Sequence, residues 1–180
     1  MIMKVCKLLN SNLAGKDFHL LLDLCFESSS YFTLKNNCFS SIKDQDGLLS
    51  ELKPHLKKQL KFDYWHGYPK NLNSNYSFDI YVYLNNLESK NILKDNFDNL
   101  FFDTYDYSKG KHNKKPEDLC FFRESSRNKE LEILLGTLSH ESLCHVYLNS
   151  DTHFILDRLC EFSLWEETNS FDKNFISLSI

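Results

Sequence analysis

The stretch Tyr76-Ser77-Phe78-Asp79-Ile80-Tyr81-Val82-Tyr83-Leu84 has a period of two. Tyr76, Phe78, Ile80, Val82 and Leu84 share one side of an extended chain. Ser77, Asp79, Tyr81 and Tyr83 share the other, because successive side chains on a strand point to opposite faces. Aromatic and β-branched residues suit a pleated, half-buried surface, so the pattern predicts a strand. Just upstream, Phe62, Tyr64 and His66 alternate with Asp63 and Trp65. A loop holding Gly67, Pro69 and several asparagines separates the two runs, which predicts an antiparallel pair.

Downstream, a short helix over about Leu87 to Leu100 turns Ile92 and Phe97 inward. The segments Leu119 to Arg123, Glu130 to Leu138 and Leu143 to Leu148 are short, apolar and closely connected, which predicts a β-meander. Ser150 or Asp151 caps a helix whose apolar face holds Ile155, Leu159 and Phe162. The tail, Phe171 to Ile180, is an edge strand or lies loose. Upstream, Phe18, Leu21, Leu22 and Cys25 recur at helical spacing within Leu13 to Ser29, with Asn12 as cap. Tyr31-Phe32-Thr33-Leu34 follows as an apolar anchor. A second helix begins at Asp44 to Gly47 and carries Leu49, Leu52, Leu56 and Leu60, and Pro54 kinks or splits it.

Strands adjacent in sequence usually pair. The order therefore predicts one α+β domain over residues 1–180, with a mainly antiparallel five-stranded sheet and helices on one face. The length suffices for a sizeable core. Neither composition nor complexity suggests disorder.

Several functions are disfavoured. Five dispersed glycines build neither a phosphate loop nor a dinucleotide fingerprint, and no Gly-x-Ser-x-Gly elbow exists, so no cofactor is expected. No apolar run approaches the ~18 residues of a membrane span. The lysines at positions 4 and 7 interrupt any signal-peptide core, so a cytoplasmic location is expected. The six cysteines are widely and irregularly spaced, as buried free thiols are in a reducing compartment. Residues 116–180 carry twelve acids against five bases, which repels nucleic acid and attracts a basic partner.

Ser139-His140-Glu141-Ser142-Leu143-Cys144-His145 comes close to the zinc-protease pattern, but with one residue too many. Histidines five apart share neither a helix face nor a strand face, so no metal site is expected. His140 and Cys144 are an even distance apart, but four strand residues span roughly 13 Å, too far for a catalytic pair unless a turn intervenes. Asp95, Asp98, Asp103 and Asp106 interleave with Phe97, Phe101, Phe102, Tyr105 and Tyr107. Acids mixed with aromatics suit docking to a basic partner, and solvated acids beside core aromatics give the same pattern. The candidate binding residues are Asp98, Asp103, Tyr105, Asp106 and Tyr107, with Glu166 and Glu167 as a second patch. Trp65, His66, Tyr68, Tyr81 and Tyr83 line either a groove or a covered sheet face.

Three stretches, Phe18 to Leu34, Lys115 to Arg123 and Gly136 to Tyr147, resemble a loosely defined group of small bacterial proteins. The shared features are a Leu-Cys…Tyr-Phe-x-Leu start, a Pro-Glu-Asp-Leu-Cys-Phe-Phe segment and a Ser-His-Glu segment. Some members carry the label stage III sporulation protein AH. The resemblance implies no activity for any residue. If the last two segments share a sheet end, Glu117, Asp118, His140 and Glu141 form a polar cluster. In size, acidity and richness in asparagine, lysine and phenylalanine, the chain also resembles immunity proteins of bacterial toxin systems. That resemblance implies a non-enzymatic partner binder that neutralises a toxin. The alternatives are a small hydrolase using His140, Glu141 and Cys144, or a regulatory scaffold.

Overall fold

A computed structural model describes residues 4–10, 12–36, 47–68, 77–101, 105–106, 111–112, 116–125, 130–168 and 177–178. The chain runs β1 (Lys4–Leu8), α1 (Gly15–Ser28), β2 (Tyr31–Lys35), α2 (Leu48–Leu52), a 3-10 turn (Lys53–His55) and β3 (Leu56–Phe62). It continues with β4 (Phe78–Leu84), α3 (Leu87–Asn96), β5 (Tyr105–Asp106), β6 (Lys111–His112) and β7 (Glu117–Glu124). The last elements are β8 (Leu131–Leu138), a 3-10 turn (Ser139–Glu141), β9 (Leu143–Leu148), α4 (His153–Leu159), β10 (Trp165–Glu167) and β11 (Ser177–Leu178).

The fold is α+β, and all the described strand pairs are antiparallel. The sheet is larger than the five strands expected. Eight strands follow in the order β10-β1-β9-β8-β7-β2-β4-β3, and β11 adds a short ninth beside the start of β8. The extra strands are Lys4–Leu8, Tyr31–Lys35 and Trp165–Glu167, each five residues or fewer. Runs that short show too few alternations to separate a strand from an apolar loop.

One side of the sheet carries the helices. Phe18, Leu21, Leu22 and Cys25 of α1 are buried against Phe32, Leu34, Phe121, Leu135, Cys144 and Val146. Leu52, Leu93 and Leu159 bring α2, α3 and α4 to the same side. Each fully buried leucine contributes ~1.5–3 kcal/mol relative to exposure, so this face dominates the core. Asn12 does not cap α1. The cap position is Ala14, and the Asn12 carboxamide oxygen instead accepts from the Phe101 N–H at 3.1 Å.

The second helix is shorter than its leucine stripe suggests. It ends at Leu52, Lys53–His55 tighten to a 3-10 turn around Pro54, and Leu56 and Leu60 belong to edge strand β3. Leucines four apart share a face on a strand as well as on a helix, because four is even.

The other side of the sheet is also covered. Trp65, Ile80, Val82, Cys120, Phe122, Ile133 and Leu178 are buried there, with Phe62, Tyr64 and Tyr68 packed against them. β3 ends at Phe62, so the strand expected to reach His66 gives way to a tight turn. The Tyr68 N–H donates to the Trp65 carbonyl at 2.8 Å, with Gly67 at φ +77°. That turn folds residues 65–68 onto the sheet. Tyr81 and Tyr83 belong to the helix-covered core, where Tyr83 stacks on Phe32. The expected groove joining them to Trp65, His66 and Tyr68 is therefore absent, since the two sets lie on opposite faces.

Candidate functional sites

Three chain segments meet at one end of the second sheet face. β2 ends in Lys35, β7 begins with Glu117 and Asp118, and the 3-10 turn after β8 holds Ser139, His140 and Glu141. The 65–68 turn brings Tyr68 over them. The Lys35 ammonium donates to the Tyr68 hydroxyl at 2.6 Å and to Glu117 Oε1 at 2.6 Å, and it lies 3.1 Å from Asp118 Oδ2. It also sits 4.2 Å from the Tyr68 ring centre, a cation–π contact. Lysine, glutamate and aspartate side chains are 3%, 8% and 0% exposed, so this ion cluster is buried.

Asp118 holds the cluster to the neighbouring strand. Its Oδ1 accepts the Ser139 N–H at 2.8 Å, and its own N–H donates to Ser139 Oγ at 3.3 Å. The backbone of Asp118 is left-handed, φ +55°, a conformation aspartate tolerates better than most residues. Burial pushes the Asp118 carboxyl above its usual range, and the Lys35 charge only partly opposes this.

The Tyr68 hydroxyl links the buried cluster to the surface. It donates to Asp118 Oδ2 at 3.0 Å and lies 3.1 Å from His140 Nδ1. A phenol has one proton and can accept twice. Lys35 fills one acceptor position and the proton goes to the carboxylate, the stronger, charge-assisted acceptor. His140 Nδ1–H is therefore the donor to Tyr68. The His140 side chain is 47% exposed, and Nε2 lies 3.7 Å from Glu141 Oε1. The polar cluster conditional on a shared sheet end thus forms from Glu117, Asp118 and His140, with Glu141 on its rim. Lys35 and Tyr68 were not legible as members.

A second polar group lies further along the same face. His66 Nε2 is 3.0 Å from the Tyr147 hydroxyl, and the His66 ring lies 6.0 Å from that of His145. Burial lowers His66 to about 3, with His145 adding to the shift. Burial, then the Lys7 charge, lowers His145 to about 4. Both rings are neutral at pH 7.

Cys144 joins neither group. It is fully buried on the helix-covered face, and burial raises its thiol well above the ordinary range. His140 is exposed and bound to Tyr68 on the other face, so the chain does not bring this pair together. Among the described residues, no three His, Cys, Asp or Glu side chains are placed to share a metal ion.

The expected docking residues are described only in part. Asp98 is exposed beside α1, where its carbonyl accepts the Gly15 N–H at 2.7 Å. Asp103 and Tyr107 lie outside the described residues. Tyr105 and Asp106 form β5, which pairs with β6 so that Tyr105 faces His112 and Asp106 faces Lys111. Glu166 and Glu167 are exposed on β10, which ends the sheet, and Glu167 Oε2 is 3.1 Å from Lys4 Nζ.

No protein-family model matches the chain, and neither the curated proteins nor the solved structures yield a match.

Proposed function

We propose that this chain is a bacterial immunity protein of the cytoplasm, which binds a basic toxin along the acidic edge of its sheet. The observation that carries the reading is the open edge of β10. Leu9 N–H donates to the Leu164 carbonyl and Thr168 N–H to the Val5 carbonyl. Antiparallel pairing alternates, so the backbone groups of Trp165 and Glu167 turn away from β1. Among the described residues no strand covers them.

An open edge can receive a partner's extended segment through main-chain hydrogen bonds. The residues along this one select for its chemistry. Leu9 and Leu164 are 53% and 65% exposed and adjacent across the β1–β10 ladder, which gives apolar contact. Glu161, Glu166 and Glu167 are exposed and lie within three residues of Leu164 along the chain, with Glu166 opposite Lys7 and Glu167 paired to Lys4. Carboxylates on a rim steer a basic protein and raise its association rate.

The test is capture of partners from the native host at low and at high salt, using the natural chain and a Glu166→Lys, Glu167→Lys variant. The reading expects one basic protein that the natural chain holds at low salt and releases at high salt, and that the variant loses. Coexpression with that protein should rescue growth only for the natural chain. Equal capture by both forms would remove the edge from the proposal.

A further inference from the structure

We infer that His140, held by Tyr68, Asp118 and Lys35, is a nucleophilic site that accepts acyl groups from uncharged or cationic activated esters. This is independent of the sheet edge proposed for partner binding and involves a different end of the second face.

The first argument is expenditure of stability. Burying one cation and two carboxylates is unfavourable relative to an apolar cluster of the same volume. Here the buried charges converge on a hydroxyl, and that hydroxyl fixes an exposed imidazole. The outermost atom of the chain of contacts is His140 Nε2, which lies 3.7 Å from Glu141 Oε1. A base oriented by a second group, itself oriented by a third, is the usual arrangement for activating an imidazole.

The second argument is proton accounting. Nε2 attacks the acyl carbon with its lone pair, and the N–C bond forms. The C–O bond to the leaving group breaks, and its electron pair departs on that oxygen. The acylated ring is a cation and passes its Nδ1 proton to Tyr68, which passes its own to Asp118 Oδ2, 3.0 Å away. Asp118 is suited to receive it, because burial favours its neutral form. Water then adds to the acyl carbon while the proton returns through Tyr68. The C–N pair goes back to Nε2, and the carboxylic acid leaves with one proton released to solvent. The sum is ester plus water to acid plus alcohol or phenol.

Charge selects the substrate. Glu117, Asp118 and Glu141 outnumber Lys35, so the site repels phosphates and carboxylates and admits neutral or cationic acyl donors.

The probe is p-nitrophenyl acetate with the full chain, read by release of p-nitrophenolate and by mass mapping of hydroxylamine-sensitive acetyl groups. His153, exposed at the start of α4, is the internal reference. In the natural protein, acetylation of His140 should be at least ~100-fold faster than that of His153, the lower end of what a positioned acid–base group contributes. His140→Gln should remove that phase and His153→Gln leave it. Tyr68→Phe should slow it and displace its pH profile, since the proton then has no route to Asp118. Equal labelling of the two histidines in the natural protein overturns the inference, and this comparison needs no variant to fold. An unaltered rate and pH profile in a folded Tyr68→Phe would overturn it as well.

Discussion

The imidazole of His66 lies against the α-carbon of Gly136. A β-carbon built there would meet the ring's Cδ2 and Nε2 at 2.6 Å. The ring cannot easily give way, because Tyr147 holds Nε2 at 3.0 Å and His145 packs at 6.0 Å between ring centres. Gly136 sits on β8 between Cys120 of β7 and His145 of β9, so the strand cannot withdraw either. Gly136→Ala should therefore destabilise the fold by about 1–3 kcal/mol, as overpacking does. Urea unfolding of Gly136→Ala, His66→Ala and the double variant measures it. The double variant should be more stable than the two losses added together, since removal of the ring relieves the clash. Additive losses would show that the contact is not what excludes alanine.

The same histidine makes the fold sensitive to acid. His66 and His145 have folded pKa values of about 3 and about 4, against an ordinary 6.5. In the unfolded chain both take protons as pH falls below 6.5, while the native forms resist until about 4 and then 3. The unfolded state binds more protons in that window, so stability falls with pH from 6.5 down to those values and levels off beneath them. Each titrating histidine contributes at most ~1.4 kcal/mol per pH unit. Asp118 acts with the opposite sign. Its folded pKa is raised, so the native state gains relative stability as pH falls through it. Variants separate the two: unfolding free energies of His66→Gln and His145→Gln at pH 7, 6 and 5 should decline less steeply than that of the natural protein. Parallel slopes in all three would assign the acid sensitivity elsewhere.

Native alkylation should find Cys160 and spare Cys6, Cys25, Cys120 and Cys144. Cys160 is exposed and the other four are buried. Burial pushes the thiols of Cys25, Cys120 and Cys144 up, which removes the reactive thiolate. Cys38 lies outside the described residues. Peptide mapping after a short iodoacetamide pulse, with and without urea, gives the comparison. Rapid native labelling of Cys144 would contradict its place under α1 and reopen its candidacy as a nucleophile.

The legible parts of this fold share one property: the period alone decided them. Phe78–Leu84 alternates over seven residues, and the stripe of α1 repeats through Phe18, Leu21, Leu22 and Cys25. Leu56 and Leu60 misled because their spacing of four fits both periods. β1 and β10 are short edge-region strands whose half-buried lysines and exposed glutamates break up any apolar run. The site divides the same way. Glu117, Asp118 and His140 stood out because acids and a histidine flank short apolar segments. Lys35 carried no local signal. Only the pairing of β2 with both β4 and β7 makes a strand-end lysine a buried one, and pairing is long-range information. Tyr68 reaches the cluster through the Gly67 turn, whose left-handed φ a single glycine in a polar loop hints at without fixing.

Lys35 should prove the member whose loss costs most. Its ammonium is the counterion described for both Glu117 and Asp118, at 2.6 and 3.1 Å. Lys35→Met leaves two buried carboxylates facing each other, and removing one partner of a buried ion pair typically costs ~3–5 kcal/mol. Lys35→Met, Glu117→Gln, Asp118→Asn takes all three charges away together. Asparagine tolerates the left-handed backbone at 118, and its carboxamide oxygen can still accept the Ser139 N–H. The triple variant should therefore recover at least half of the loss, although it has three changes to the single variant's one. Thermal or urea unfolding at pH 7 measures both. A triple variant no more stable than Lys35→Met would mean that the lysine acts through packing against Tyr68 and Phe78, not through its charge.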